Sequence, residues 1–186
     1  MSPMTTRKLC GLTLTVALLA LACSAEAADP SADIPFAGGR LLGSGPDRLL
    51  LGAGAFSIIR NKHSGDSPTP EGRVEYLVGR KWYSFGPLVG IMANTDGGVY
   101  GYGGVYTNLA FGHWLITPSV GLGGYARNDS KNLGGVFEFY ASLETGYEFT
   151  GGSRLGLRFA HISNAGTHGY NPGVESALVT YSIPFE

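Results

Sequence analysis

The sequence predicts an all-β protein, an eight-stranded antiparallel transmembrane β-barrel, and three observations lead there. From residue 49 onward, strand-length runs follow one another, parted by turn-like segments, with no helical stretch or internal repeat among them. Within the runs, apolar residues alternate with polar or charged ones at a period of two. The composition agrees: of 186 residues 30 are Gly, 11% are aromatic and only 15% are charged. The formal charge of −1 offers no footprint for nucleic acid, so none is expected as a partner. The length suits one domain.

Residues 1–27 read as a signal peptide, with Arg7 and Lys8 at its start, an apolar stretch over 9–22 and a small-residue site at Ala25-Glu26-Ala27. The apolar stretch is shorter than the ~20 residues a spanning helix needs. A rival lipoprotein-type site exists at Leu21-Ala22-Cys23. Cleavage after Ala27 removes both Cys10 and Cys23, so the mature chain is expected to use no thiol chemistry. Residues 28–48, with Pro30, Pro35, Pro46 and a Gly39-Arg40 turn, form an N-terminal lead-in without periodicity. The barrel is assigned to 49–186. Its runs are 49–59, 73–82, 85–94, 99–111, 113–127, 135–149, 153–163 and 174–185. Long connections follow the first and seventh runs and middling ones the third and fifth. Those after the second, fourth and sixth are short.

The sixth run shows which face meets what. Phe137, Phe139, Ala141, Leu143, Thr145, Tyr147 and Phe149 form one row; Glu138, Tyr140, Ser142, Glu144, Gly146 and Glu148 form the other. A soluble, lipocalin-like barrel would turn the charged row to water, whereas a membrane barrel turns the apolar row to lipid. Runs of about ten residues match a tilted bilayer crossing. Aromatics gather at run ends (Trp82, Tyr83, Phe111, Trp114, Phe149, Phe185), as interfacial girdles do. The ending Tyr181-x-Ile183-x-Phe185, followed by Glu186, resembles the last strand of outer-membrane barrels. The membrane reading is therefore preferred. It turns Glu138, Glu144, Glu148, Arg154 and Arg158 inward, where eight strands leave room for an ion-pair network and no channel.

The parity of the last two runs isolates three residues. His161 and Ser163 continue the apolar row of Leu155, Leu157 and Phe159, and Glu175 opens the row of Ala177, Val179 and Tyr181. With both termini periplasmic, the seventh strand ends and the eighth begins on the outer side. That depth matters, because charge on the lipid face costs ~2–4 kcal/mol at the midplane and far less near an interface. Serine needs a base to become nucleophilic, and a carboxylate orients that base and steadies its cation. The innocent alternative, a polar cluster beside a loop, explains any one of the three better than all three together.

His161-Ile162-Ser163-Asn164-Ala165-Gly166, followed by Asn171-Pro172-Gly173-Val174-Glu175-Ser176, resembles the signature of the outer-membrane lipid A 3-O-deacylases, the PagL family. The resemblance is specific over 154–185 and only architectural before that. It implies an eight-stranded barrel with an outward Ser-His-Glu triad that cleaves the ester-linked acyl chain at position 3 of lipid A. Carried over, Ser163 is the nucleophile, His161 the base, Glu175 the orienting acid, and Asn164 helps stabilise the oxyanion. The implied partners are lipid A or lipopolysaccharide as substrate and outer-membrane lipid around it, without cofactor or metal. Residues 167–170 match no usable pattern, which leaves the contacts to the sugar unassigned.

Two other readings stand beside this one. Outer-membrane phospholipases A share a His-x-Ser-Asn element, but they are larger barrels with a neutral third residue and calcium dependence; Glu175 and the strand count weigh against them. A structural or adhesive barrel working through the loop 60–72 leaves the outward His, Ser and Glu without a purpose. His63, His113 and His168 lack metal-site spacing. Asp96-Gly97-Gly98 is a turn rather than a calcium loop. Gly101-Tyr102-Gly103-Gly104 lies inside an alternating run and lacks the lysine of a phosphate loop. The oligomeric state is open, a homodimer included.

Overall fold

The computed structural model describes residues 31–59 and 67–185. The expected signal peptide and both cysteines lie outside the described residues. Eleven strands run in the order β1 Ile34–Phe36, β2 Gly39–Leu41, β3 Asp47–Phe56, β4 Thr69–Leu77, β5 Gly86–Asn94 and β6 Val99–Tyr106, then β7 Leu109–Phe111, β8 Trp114–Ala126, β9 Phe137–Glu148, β10 Arg154–Ser163 and β11 Val174–Phe185. They form one sheet whose ends meet through the β8–β9 pairing, and the wall closes. All pairings are antiparallel, and all join chain neighbours except β11–β3, β6–β8 and β2–β7. Strands β6 and β7 both pair with β8 and together form the fourth wall strand, so the barrel has eight. The break between them faces Pro118, whose carbonyl accepts from the Thr107 N–H (3.2 Å) but which has no N–H to return.

The lead-in carries two short strands. Its β1–β2 hairpin continues the sheet beyond β7 at the end of the short connections, here the inner end. Lys81, in the β4–β5 turn, ties this segment to the wall through its Nζ–H bond to Leu42 O (3.0 Å). Burial pulls that ammonium down to about 8, with Arg154 adding to the effect.

The second run differs from expectation, spanning Thr69–Leu77 rather than 73–82. Thr69 and Glu71, expected in the loop, join Arg73 and Glu75 in the buried inward row of β4. In a barrel with a polar interior, polar alternation is itself the strand signal.

The interior is charged and paired. Arg73 bonds Glu71 at 2.6 Å with both side chains fully buried, and Arg158 bonds Glu75 at 2.6 Å and Glu144 at 2.8 Å. Tyr102 donates to Glu75 (2.5 Å), and the Arg73 guanidinium lies over the rings of Tyr102 and Tyr140 at 5.6 and 5.1 Å. Nearer the inner end, Glu148 joins Arg154 (2.7 Å) and Arg48 (3.1 Å). Glu138 points inward as expected and is fully buried. Outside, the wall is apolar along every barrel strand, with Leu51, Val74, Val89, Ile91, Val105, Val120, Leu143, Leu157 and Val179 all exposed. A polar core inside an apolar wall is stable only when lipid surrounds it. The aromatics expected at run ends all gather at the inner end, where Trp114 and Phe149 each meet Tyr147 at 5.4 Å.

Candidate active site

The hairpin β10–β11 carries the three residues singled out by parity. Its register sets His161 directly across from Glu175, and strand alternation turns both away from the interior. The imidazole Nδ1 lies 3.2 Å from Glu175 Oε1. An ionised carboxylate can only accept, so in the neutral imidazole this contact puts the hydrogen on Nδ1 and the lone pair on Nε2. The His161 side chain is 43% exposed and that of Glu175 21%, at the outer end of an otherwise apolar face.

Ser163 follows on the same outward row, where it pairs with Phe139 of β9. Its hydroxyl makes no hydrogen bond among the described residues. Two residues along a strand span about 6.5–7 Å, a gap that side-chain rotation narrows, and hydrogen bonds in catalytic sites commonly tighten only once substrate is bound. The structure thus brings His161 and Glu175 together and leaves Ser163 next in line on their face.

Asn164 behaves differently from the other three. As the residue after Ser163, it turns inward and is fully buried. Its Nδ2 donates to Leu133 O (2.9 Å) and Tyr170 O (2.8 Å), while its Oδ1 accepts from the Gly166 N–H (3.0 Å). Its carbonyl accepts from Thr167 N–H (3.0 Å) and Thr167 Oγ1 (2.8 Å). Both side-chain hydrogens go to carbonyls, lacing the loop 164–173 to the β8–β9 loop.

Three further residues support the site, and none was singled out from the sequence. Asn171 Oδ1 accepts from the Asn164 N–H (3.1 Å), which sets its amide beside the residue that follows Ser163. Gly173 has φ +63, and a Cβ there would come within 2.9 Å of His161 Cε1. Gly134 has φ +99, and a Cβ there would lie 1.8 Å from Tyr170 O and 2.7 Å from Asn164 Nδ2. The Asn-Pro-Gly turn before Glu175 was the only sequence signal for any of them.

The histidines set aside for lack of metal spacing lie apart. His113 stacks on Tyr147 at the inner end, and His168 rests against Gly135 at the outer end. His63 is outside the described residues. Among the described residues, no three of His, Cys, Asp and Glu cluster as metal ligands would.

Fold and face together define a class: eight-stranded outer-membrane barrels with an apolar outer wall. The model of the lipid A 3-O-deacylase (PagL) family matches residues 61–184, well over half the sequence, and the chain belongs to that family. It is 38% identical over 55 residues to a lipid A deacylase of Bordetella bronchiseptica, covering 30% of this chain and 31% of that protein. It is 34% identical over 72 residues to a lipid A deacylase of Pseudomonas aeruginosa, covering 38% and 42%. The matched stretches thus span less than half of either relative. The crystal structure of the outer-membrane enzyme PagL superposes with a TM-score of 0.55 at 18% identity, covering 74% of this chain and 99% of that one. The shared fold is an outer-membrane barrel.

Proposed function

We propose that this protein is a lipid A 3-O-deacylase, an outer-membrane esterase working through Ser163, His161 and Glu175. The observation that carries the reading is the His161–Glu175 contact at 3.2 Å, on the lipid side of the wall and at its outer end. A buried charged pair inside the barrel would be filling; the same pair facing lipid has no packing purpose. Membership of the family and the lipid A deacylases matched in two bacteria support the substrate.

In this reading, the Ser163 Oγ attacks the carbonyl carbon of the ester at position 3 as its proton passes to His161 Nε2. Glu175 holds the Nδ1–H and steadies the imidazolium. The tetrahedral intermediate collapses with the sugar oxygen leaving and taking the proton back from Nε2. Water then attacks the acyl-serine, its proton again going to Nε2, and releases the fatty acid. Amide-linked chains are poorer substrates, because nitrogen is the worse leaving group. Asn164, next to Ser163, helps stabilise the oxyanion in this reading, and its side-chain hydrogens hold the loop through Leu133 O and Tyr170 O. The chemistry calls for no metal or cofactor.

Mass spectrometry of lipid A from cells expressing the chain tests this reading. The expected result is loss of one ester-linked 3-hydroxyacyl chain with the amide-linked chains intact. Unchanged lipid A alongside phospholipid breakdown would replace the reading with a phospholipase.

A further inference from the structure

Against the lipid side of the wall, at its inner end, lies a cavity of about 930 Å3, within the ~300–1,000 Å3 range of small-ligand sites. It sits beside the β4–β5 connection, at the opposite rim from Ser163. One wall is apolar, made by Phe85, Pro87 and Val105, all exposed, and Trp82 closes an edge with its ring 5.1 Å from that of Tyr83. The lead-in supplies the floor. Its Gly45 N–H donates to Gly79 O (3.0 Å), and the Lys81 N–H donates to Ser44 Oγ (2.9 Å). A Cβ at Gly79 would collide with the Gly45 carbonyl, so this approach requires glycine. The connection itself turns within two residues, Tyr83 (φ 49) and Ser84 (φ 67), while Trp82 and Phe85 exchange two backbone hydrogen bonds at 3.0 Å. Asn-Gly is the usual occupant of such a turn. Two larger residues hold strained backbone here, as happens at ligand clamps.

The exposed charge in this cavity belongs to Arg80. Among the described residues nothing engages its guanidinium, and no Asp or Glu lines the cavity. Lys81 is buried, with its Nζ bonded to Leu42 O (3.0 Å). From this arrangement we infer that the cavity binds an anionic glycerophospholipid of the inner leaflet, with its phosphodiester on Arg80 and an acyl chain along Phe85, Pro87 and Val105. The planar fork of a guanidinium matches two phosphate oxygens, and basic pockets at a membrane interface select lipid head groups. The occupant is a lipid because the apolar wall faces hydrocarbon, and at this depth a head group is what brings phosphate beside it. A zwitterionic lipid would carry its ammonium to a rim with no carboxylate to receive it, which favours phosphatidylglycerol over phosphatidylethanolamine. The site needs nothing from Ser163, and it gives the lead-in a purpose as the floor under a bound lipid.

Native mass spectrometry of the protein released from detergent micelles, titrated with dioleoyl phosphatidylglycerol or dioleoyl phosphatidylethanolamine, tests the inference. One phosphatidylglycerol per chain is expected, held about tenfold more tightly than phosphatidylethanolamine. Arg80→Ala should weaken it about tenfold, the loss of one charged hydrogen bond. Arg40→Ala, which removes another exposed inner-end arginine, one paired with Asp33 at 3.3 Å, should leave it unchanged. Arg80→Gln carries the same expectation and replaces Arg80→Ala should that variant fail to assemble. Equal affinity for the two lipids, or equal losses in the Arg80 and Arg40 variants, would reduce the site to general lipid adhesion and overturn the inference. Displacement of the lipid by millimolar inorganic phosphate would overturn it as well, because the ligand would then be free phosphate.

Discussion

At the scale of single residues, the account depends on which way each side chain points. Period-two alternation turns His161, Ser163 and Glu175 outward, and the register pairs His161 with Glu175 directly. The same alternation, applied one residue further, turns Asn164 inward. The motif resemblance assigns Asn164 to the oxyanion, and parity buries its side chain behind Ser163. Gly173 was illegible for another reason, since nothing in a glycine's sequence context reveals that an imidazole lies 2.9 Å from its missing Cβ. Gly173→Ala should combine left-handed strain with pressure on the His161 ring. Deacylation should fall about 10²-fold, the scale of an ångström's misplacement at a reacting group, while the barrel still assembles. Kinetics normalised to the folded fraction on heat-modifiable gels check this. Glu175→Ala should be milder than His161→Ala by about 10²-fold, because an unoriented imidazole still accepts a proton.

At the scale of elements, the loops turn a strand end into a site. The β8–β9 and β10–β11 loops interlock where Asn164 donates to Leu133 O and Tyr170 O across the Gly134 backbone. Gly134→Ala should drive the two loops apart, because its Cβ has no room beside Tyr170 O. An activity loss of about tenfold or more is expected, with KM for a short soluble ester nearly unchanged and its kcat reduced. An unaltered kcat would show that the β8–β9 loop does not position Ser163. The strands themselves were largely legible from alternation, and the misplaced one is instructive. Residues 69–72 carry Pro70, Gly72 and two polar side chains, the composition of a loop, yet Thr69 and Glu71 face an interior that is polar along its length.

At the scale of the whole molecule, an inverted barrel is held together by buried charge. Arg158 serves two acids at once, Glu75 and Glu144. Arg158→Met should therefore strand two carboxylates and destabilise the barrel by about 3–5 kcal/mol, since breaking a buried pair leaves its partner uncompensated. Urea titration of the folded band on gels would register the loss as a lowered midpoint, with no change in the outward site. The sequence showed Glu144 and Arg158 as inward neighbours, but the Glu75 contact joins β4 to β10 across the lumen. Only barrel closure brings those two strands face to face.

The central claim is that Ser163, on the lipid side of the outer rim, is a nucleophile made reactive by His161. Its most direct measurement is covalent labelling of the membrane-embedded protein with a long-chain p-nitrophenyl phosphonate, the adduct located by peptide mass spectrometry. The account predicts one adduct, on Ser163, its formation slowed at least about 10³-fold in His161→Ala. An adduct on any other residue, or equal labelling of Ser163 with and without His161, would contradict it.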